Sequence, residues 1–523
     1  MIRDFDIAVV GSGFAGSLMA MIARRLGRSV ILLERWRHPR FVIGESSTPL
    51  ANLLWEELAN RYDLPRLLPL SKWGTWQRQY PSIACGLKRG FTFYHHEFDR
   101  TFANDPERRD QLLVAASPHD RIADTHWYRT GFDAFLVREA QANGVEFMDE
   151  INLTRVSFCA EAALLEGERL GKSITVRARF VLDATGPRGF LHRALALPEA
   201  PFEKLPPTQA LYSHFSCVRR WQEIFSSDSP PYPVDDAALH HVFDGGWIWV
   251  LHFNHGITSA GVAATNELAA KLKLQEGAPA WQRLLARLPS VREQFAKAEP
   301  ILKFFYVPRL SFLSGCVTGR QWALLPSAAG FVDPLLSTGF PLTLLGITRL
   351  ARTFEETWGR RDFESRLFDY SMRTTMELVT TERLIAALYA TMTDFKLFRA
   401  LSLLYFAAAS FTETARRLGK PELAGNSFLL GEHPTFGPRF RYCVDAALCR
   451  PTGETRRQLL DRIQQTLGPV DVAGLSDGTR QNWYPVNTED LLASAGKLNS
   501  DRAAIETLIA RCGLRDDPAV PHA

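Results

Sequence analysis

Three glycines near the start of the chain have the spacing of a phosphate-binding turn. Gly11, Gly13 and Gly16 form the pattern GxGxxG. The first glycine permits a tight turn, the second lets backbone approach a pyrophosphate, and the third lets a helix pack closely on a strand. Glu34 follows 18 residues after Gly16. An acid there binds ribose hydroxyls and argues against a ribose 2′-phosphate, so the spacing predicts a bound dinucleotide.

The elements around these glycines are those of a βαβ unit. Residues 7–10 are a continuous apolar run, typical of a strand buried in a parallel sheet, and they lead directly into the turn. Residues 17–26 have helix-forming composition and are followed by Gly27. Residues 29–33 form a second apolar strand, which ends at the acid.

The glycine pattern alone does not distinguish FAD from NAD, but three later features favour FAD. A predicted strand ends at the run from Asp183 to Gly186, as in the second cofactor contact of flavoproteins with two dinucleotide-binding domains. Arg129 stands just before a helix predicted near Asp133, where it could bind phosphate or lie on the surface. No second GxGxxG occurs, so electrons for a reduced flavin would come from a separate protein.

The rest of the chain gives a coarse pattern of elements without repeats or clear linkers. Helices are predicted over 50–62, 133–143, 340–409, 454–467 and 488–512, and strands over 173–183, 247–253, 257–263 and 323–325. Short alternating stretches at about 200–310 predict an antiparallel sheet. The prediction is an interleaved core over 1–350 that contains this sheet, and a mainly helical region over 351–523.

Composition excludes several classes of protein. Of 523 residues, 46% are hydrophobic and 23% charged, which excludes wholesale disorder. A net charge of +4 indicates no nucleic-acid partner. Seven cysteines without a CxxC pair, and histidines without ligand spacing, predict no metal site. The N-terminus lacks a signal-peptide pattern, and the apolar run 401–411 is shorter than a membrane span. We expect a soluble cytoplasmic enzyme of undetermined oligomeric state.

Four further segments, in order, resemble those of flavin-dependent halogenases. Residues 41–49 (FVIGESSTP) are similar to the GExxxP segment of that family, and 84–93 (ACGLKRGFTF) to the segment of its catalytic lysine, with Lys88 in that position. Residues 244–252 (DGGWIWVLH) resemble the GWxWxIP motif, and 330–339 (GFVDPLLSTG) the FxxPxxSxG motif. The similarity covers about the first 350 residues and is closer to the phenol- and phloroglucinol-type branch than to the tryptophan halogenases.

The resemblance implies an α/β fold: a Rossmann-type FAD-binding domain with an interleaved antiparallel substrate sheet and a helical C-terminal region. It also implies a two-component enzyme. A separate flavin reductase would supply reduced FAD, and FAD with oxygen would oxidise chloride or bromide to hypohalous acid. The acceptor would be a small electron-rich phenolic or other aromatic molecule, free or tethered to a carrier protein. Lys88 would hydrogen-bond the hypohalous acid or become a haloamine, whereas a solvated surface lysine is the plain alternative.

The same resemblance, with the glycine pattern, assigns the other candidate residues. Those assigned to the cofactor are Gly11, Gly13, Phe14, Ala15, Gly16, Glu34, Arg35, Glu45, Ser46, Arg129, Asp183, Gly186 and Asp333. Those assigned to the halide are Pro334, Thr338 and Gly339, because turn N–H groups and a helix N-terminus attract anions. Trp247, Trp249 and His252 are assigned to the wall of the substrate passage. The tryptophans could equally be core residues, and His252 either structural or a general base.

Two positions depart from the family pattern. Leu336 stands where tryptophan halogenases carry a glutamate before the motif serine, which favours an electron-rich phenolic or pyrrolic substrate. Leu251 and His252 replace the isoleucine and proline of the GWxWxIP motif, which is thought to separate flavin from substrate. An FAD-dependent monooxygenase, or another flavin oxidoreductase, is therefore the alternative function, and a non-catalytic flavin-binding protein is the second alternative.

Overall fold

A computed structural model describes residues 3–225 and 229–515. Its strands are β1 Arg3–Val10, β2 Val30–Leu33, β3 Cys85–Lys88, β4 Gly90–His95, β5 Gln111–Ala115, β6 Asp124–Trp127, β7 Glu146–Met148, β8 Ile151–Phe158, β9 Ala163–Arg169, β10 Lys172–Asp183, β11 Thr208–Ser216, β12 Ala238–Phe243, β13 Gly246–His252, β14 Thr258–Thr265, β15 Glu299–Pro300, β16 Phe305–Val307, β17 Phe312–Leu313, β18 Thr318–Gly319, β19 Trp322–Leu324, β20 Gly330–Phe331 and β21 Trp483–Tyr484.

The helices alternate with these strands at first and dominate the second half of the chain. They are α1 Phe14–Arg25, α2 Pro49–Arg61, α3 Trp73–Gln79, α4 Arg129–Ala142, α5 Phe190–Ala194, α6 Asn266–Leu272, α7 Ala278–Arg287, α8 Pro289–Gln294, α9 Pro326–Ala329, α10 Gly339–Thr357, α11 Phe363–Ala390, α12 Phe395–Arg417, α13 Phe436–Leu448, α14 Gly453–Leu467, α15 Thr488–Ala493 and α16 Arg502–Cys512.

The first sheet carries the glycine-rich turn. Its strands run in the order β18-β19-β10-β1-β2-β7, and β8 and β9 form a hairpin beside β10. β1 lies parallel to both β10 and β2, and every residue of β2 is buried, as expected for a strand covered on both faces. The predicted strand–helix–strand unit at the start of the chain is confirmed.

The second sheet is larger than the stretch at 200–310 from which it was predicted. Its order is β15-β11-β14-β13-β12-β4-β5-β21, with β16 beside β11. The pairs within 200–310 are antiparallel, but β4 pairs parallel with β12, and β21 pairs parallel with β5. Parallel neighbours need long crossover connections, and these strands join from distant parts of the chain. Local alternation could not reveal such pairs.

The helical region begins with three long helices rather than one continuous stretch. α10, α11 and α12 occupy most of 340–409, and the predicted boundary at 350 lies within α10. By length and composition α12 could cross a membrane, but 67% of its apolar window is buried inside the fold. The tail returns to the second sheet through β21, and the helices predicted at 454–467 and 488–512 are α14, α15 and α16, with a break between the last two.

An aromatic cluster joins the start of α1 to the start of α10. The Trp127 ring stacks on Phe132 and on Phe340, each at 4.4 Å between centroids. Phe14 packs edge-on against Phe340 at 4.9 Å and against Trp127 at 5.5 Å. Such pairs contribute about 0.5–1.5 kcal/mol each beyond their buried area. The cluster therefore fixes the start of α1 next to the start of α10.

The closest backbone approach in the first turn leads to a prediction. A Cβ at Gly16 would lie 1.9 Å from the carbonyl oxygen of Gly11. Gly16→Ala must therefore separate β1 from α1, and over-packing of this kind costs about 1–3 kcal/mol. We expect a lower midpoint of thermal unfolding, measured by circular dichroism. Gly496→Ala, where a Cβ meets nothing within 4 Å, is the control, and its midpoint should be unchanged. Equal midpoints for the two variants would contradict the packing argument.

Candidate functional site

The glycine-rich turn ends at an open helix N-terminus. In the described structure no side chain caps α1 at Gly13, and no acid lies in its first turn. The first N–H groups of α1 are therefore available to an anion. A Cβ on Gly13 would lie 3.3 Å from Nη2 of Arg129, so only glycine leaves this space open beside a cation. These features fit the pyrophosphate of FAD. Phe14, Ala15 and Gly16 are buried behind the turn.

Glu34 lies at the end of β2 beside this turn. Its Oε2 accepts hydrogen bonds from Ser12 N at 3.0 Å and from Arg40 Nη2 at 2.9 Å. Burial alone would raise the pKa of Glu34, but Arg40 and the hydrogen bonds from Ser12 and Trp36 hold it below the ordinary value. Glu34 is therefore ionised at neutral pH and able to accept from ribose hydroxyls. Arg35 is exposed and stacks on the Trp36 ring.

Two arginines converge on the turn, one of which the sequence did not indicate. Arg129 is the first residue of α4, rather than a residue before it, and donates two hydrogen bonds to Asp133 at 2.8 and 2.9 Å. Its Nη1 donates to the Gly44 carbonyl at 2.9 Å. Arg40 approaches Asp133 at 3.9 Å and also lies 4.0 Å from a Cβ built on Gly13. No motif contained Arg40, and only the fold brings it here.

Asp183 organises the loop that follows β10. Its Oδ1 accepts from Thr185 N at 2.8 Å and its Oδ2 from Leu191 N at 2.6 Å. Both carboxylate oxygens are thus used within the loop. Gly186 has φ +82° and its Cα faces open space, so this glycine is the part of the loop that a cofactor could approach. The cofactor contacts predicted for Asp183 and Gly186 stay predictions.

Asp333 is buried at the start of the 333–339 turn. Its Oδ1 accepts from Leu335 N at 2.9 Å, and its Oδ2 accepts from the Tyr389 hydroxyl at 3.0 Å. Burial raises the pKa of Asp333 to about 7, although these hydrogen bonds and the nearby Trp247 act in the opposite direction. Asp333 therefore holds the turn to α11, and its predicted contact with the cofactor stays a prediction.

The predicted halide residues form a tight turn before α10. Leu336 and Ser337 both have positive φ, 64° and 55°, which folds the backbone back on itself. Within the described structure no side chain caps α10 at Thr338, and a Cβ on Gly339 would meet nothing within 4 Å. The helix N-terminus thus faces open space beside Pro334, as an anion site requires. Halide binding stays a prediction.

The segment from Gly44 to Pro49 connects the cofactor side with Lys88. Glu45 is buried and its Oε1 lies 2.9 Å from Nε2 of His214. Among the described residues, Glu45 Oε2 and His214 Nδ1 have no hydrogen-bond partner although both are buried. Buried polar atoms normally have partners, so this pair fits a site that a polar group completes. The next residue, Ser46, contacts Lys88.

Lys88 is fully buried at the end of β3. Its Nζ donates to Ser46 Oγ at 2.8 Å and to the Ser47 carbonyl at 2.5 Å. The ammonium also lies 3.8 Å from the ring centroid of Phe91. The plain alternative, a solvated surface lysine, is therefore wrong. Asp124 stands directly opposite Lys88 in the β3–β6 pair and had not been singled out in the sequence.

Lys88 and Asp124 are both buried, and burial shifts the pKa values of both groups. Burial lowers the pKa of Lys88, while the negative charge of Asp124 acts against that change. Burial also raises the pKa of Asp124, and Lys88 acts against that change. Asn52 donates to Asp124 at 2.7 Å, but the second carboxyl oxygen has no partner in the described structure. The charges of Lys88 and Asp124 therefore each stabilise the charged form of the other.

The two predicted wall tryptophans lie on one face of β13. Their ring centroids are 5.7 Å apart, and both rings are buried. Trp247 lies beside Asp333 and acts against the burial that raises the pKa of that carboxyl, so it faces the turn that precedes α10. His252 is hydrogen-bonded to Thr258 at 3.0 Å and lies 3.5 Å from Asp235. The wall role of Trp247, Trp249 and His252 stays a prediction.

A cavity of about 170 Å³ has Phe91 of β4 in its wall. Its wall combines Thr48 and Pro49 with residues of β4, β5, α12 and the tail. Sequence reasoning missed all of the α12 and tail residues, because no local motif marks them. Those from α12 are Tyr405, Phe406, Ala409, Ser410, Glu413, Thr414 and Arg417, and those from the tail include Val472, Leu475, Tyr484, Leu491, Leu508 and Cys512.

The chain is similar in sequence to known halogenases. The family model described as tryptophan halogenase matches residues 125–395. Monodechloroaminopyrrolnitrin halogenase PrnC of Pseudomonas fluorescens is 29% identical over 413 residues, which are 77% of this chain and 71% of that protein. Tetracycline 7-halogenase of Kitasatospora aureofaciens is 26% identical over 380 residues, 70% of this chain and 66% of that protein.

Solved structures share the fold. Halogenase PltM, in complex with phloroglucinol and FAD, aligns with a TM-score of 0.82 at 23% identity over 92% of this chain and 99% of that chain. The myxobacterial chondrochloren halogenase CndH aligns with a TM-score of 0.61 at 24% identity over 75% of this chain and 84% of that chain. The predicted α/β fold class is confirmed.

Glu34 gives a direct test of the dinucleotide cradle. Glu34→Ala removes the predicted acceptor for the ribose hydroxyls and should weaken FAD binding about tenfold or more, since a hydrogen bond to a charged group contributes about 1.5–3 kcal/mol. The measurement is a titration of flavin fluorescence. Glu267→Ala, an exposed acid on α6, should bind FAD normally. An unchanged affinity in the Glu34 variant, with an unchanged unfolding midpoint, would remove Glu34 from the cofactor site.

Proposed function

The chain belongs to the tryptophan halogenase family of flavin-dependent halogenases, and from that premise we propose that it halogenates a small electron-rich aromatic ring in the cavity lined by Phe91. The acceptor is of the phenolic class, and Lys88 passes the halogen to it. Halogenation by FAD is the function of the family. The substrate class, the cavity and the residue roles are the proposal.

The observation that carries the proposal is the position of Lys88. Its ammonium is buried between the 44–49 segment, which reaches the dinucleotide cradle, and Phe91, which lines the cavity. A reactive halogen species that leaks into water is lost, so the group that passes it on must be shielded from solvent. Lys88, with none of its surface exposed, meets this condition.

Reduced FAD and oxygen supply the oxidising equivalent that converts a halide ion into hypohalous acid. The chain's own residues do the rest. The α10 N-terminus at Thr338 and Gly339 holds the halide through backbone N–H groups. Its fixed position beside α1 follows from the packing of Phe14 on Phe340. Trp247 separates this turn from the strands behind it and keeps water out.

Lys88 acts as the halogen carrier in its amine form. The amine nitrogen forms a bond to the halogen of hypohalous acid, the O–halogen bond breaks, and the hydroxide formed combines with an amine proton to give water. Only the neutral amine has the lone pair for this step. Burial favours the neutral amine, and Asp124, with one free carboxyl oxygen, can accept the proton that the ammonium loses.

The proposed partners follow from the same chemistry. A separate flavin reductase supplies the reduced FAD. The acceptor is free or tethered: similar proteins include the 1H-pyrrole-2-carbonyl-[peptidyl-carrier protein] chlorinase of Pseudomonas fluorescens, 24% identical over 375 residues. Both forms of the acceptor are left for experiment. A cytoplasmic location stays part of the proposal.

Lys88→Ala tests the carrier role. The variant should bind FAD like the wild type, because Lys88 lies outside the cradle, but should form no halogenated product. The assay combines a flavin reductase, NADH, bromide and a panel of phenols, and detects the bromine isotope doublet by mass spectrometry. Lys271→Ala, an exposed lysine on α6, should retain full activity. Normal product from the Lys88 variant would refute the role. Oxygenated product without bromide dependence would instead support the monooxygenase alternative.

Asp124→Asn tests the proton equilibrium at Lys88. Removing the negative charge takes away the interaction that keeps the ammonium form stable, so the pKa of Lys88 should fall further. Activity that requires the amine rises with pH through that pKa, and the rise should therefore move to lower pH, by about one unit. The measurement is the pH dependence of kcat. Asp120→Asn, whose carboxylate pairs with Arg89 outside the site, should leave the profile in place. A rise that moved to higher pH would contradict the assignment.

A further inference from the structure

Among the described residues that line the cavity, Glu413 is the one acid. It lies on α12, and its Oε1 accepts from Arg417 Nε at 2.8 Å, one turn further along the helix. No described group donates to its Oε2. The side chain is only 21% exposed, so a carboxylate oxygen with a vacant acceptor position faces a mostly apolar space.

Arg417 does not neutralise this acid fully, because it is shared. Its Nη1 donates to Glu56 on α2 at 3.3 Å. The carboxylates of Glu413 and Glu56 thus share one guanidinium. The other cation near Glu56 is Lys72, whose Nζ lies 3.8 Å from Glu56 Oε1. The open acceptor position on Glu413 favours a hydrogen-bond donor on the ligand over another carboxylate, because like charges in a partly buried site repel strongly.

The size of the cavity limits the ligand to one ring. A cavity of about 150 Å³ lined by apolar residues accommodates benzene. The present cavity, at about 170 Å³, accommodates one benzene ring with one or two small substituents. Phe91 and Phe406 supply flat apolar surface, and their centroids lie 5.0 Å apart. A four-ring phenol would require the tail to move away.

Glu413 is also on the Lys88 side of the cavity. Its negative charge is close enough to raise the pKa of Asp124, which pairs with Lys88. The Phe91 ring lies 3.8 Å from Lys88 Nζ and also lines the cavity, so the lysine and the cavity adjoin the same ring. A ring bound with its hydroxyl at Glu413 would therefore lie in the cavity next to the ring that Lys88 contacts.

Resting on the proposed function, we infer that Glu413 is the anchor for the ring hydroxyl of a single-ring phenol. The phenol O–H donates to Glu413 Oε2, and this hydrogen bond raises the electron density of the ring carbons ortho and para to the oxygen. At one of these carbons a C–halogen bond forms as the N–halogen bond of Lys88 breaks. The displaced ring proton goes to the lysine nitrogen, which restores the amine.

The test measures binding without turnover. Meta-cresol and meta-xylene have nearly the same shape and differ in one donor, the hydroxyl. Isothermal titration of each into the FAD-loaded oxidised protein, without halide, compares wild type with Glu413→Gln. The variant should lose about tenfold or more in affinity for meta-cresol and bind meta-xylene as the wild type does, because only meta-cresol donates to the carboxylate.

Glu57→Gln is the matched control. Glu57 pairs with Arg416, the neighbour of Arg417, but does not line the cavity, so this variant should bind both ligands normally. Equal losses for both ligands would mean that Glu413 only supports the cavity wall, and would overturn the inference. So would an unchanged affinity for meta-cresol, or a wild-type protein that binds neither ligand.

These outcomes are distinct from failure of the proposed function. The proposed function fails if the wild-type enzyme forms no halogenated product from any phenol in the panel. Only the turnover assay measures this outcome. A protein that halogenates larger or tethered rings but shows no difference between meta-cresol and meta-xylene keeps the proposed function and loses the anchor.

Discussion

An ammonium group without water around it must be stabilised by the protein, and much of this site can be understood from that requirement. Removing an isolated ammonium ion from water costs several kcal/mol. Lys88 has no exposed surface. Its ammonium is stabilised by hydrogen bonds to Ser46 and the Ser47 carbonyl, by the Phe91 ring and by the negative charge of Asp124. The hydrogen bonds favour the charged form and burial favours the neutral one. A lysine balanced in this way changes protonation state readily, which a halogen carrier requires.

The 44–49 segment supplies the hydrogen-bond partners that the buried Lys88 ammonium requires. Gly44 accepts from Arg129 at the dinucleotide cradle, and two residues later the segment supplies the partners of Lys88. Thr48 then caps α2 by accepting from Ala51 N, and with Pro49 it reaches the cavity. One short stretch of backbone thus links Arg129 at the glycine turn, Lys88 and the cavity. A shift on the cofactor side must move the lysine as well, because the segment is anchored at both ends.

Local patterns predicted the parts of the site that are close in sequence. The glycine turn, Glu34 and the buried strands around them follow from spacing within about 30 residues, and the structure has the predicted strands and helix there. Arg40, Asp124 and Glu413 could not be found in this way. Each reaches the site through tertiary contacts, such as the pairing of β3 with β6, and carries no motif of its own. The parallel pairs β4–β12 and β5–β21 escaped prediction for the same reason.

Leu336 and Glu413 together suggest how specificity is divided in this fold. At position 336, where tryptophan halogenases carry a glutamate, this chain has a leucine with no exposed surface, so that position offers the acceptor no carboxylate. The acid at the cavity instead comes from α12, which begins at the last residue matched by the family model. Most of the residues that line the cavity come after Glu413 in the chain. Most of the residues proposed to select the ring therefore lie on other elements than those proposed to bind the flavin, and Thr48, Pro49 and Phe91 join the two sets.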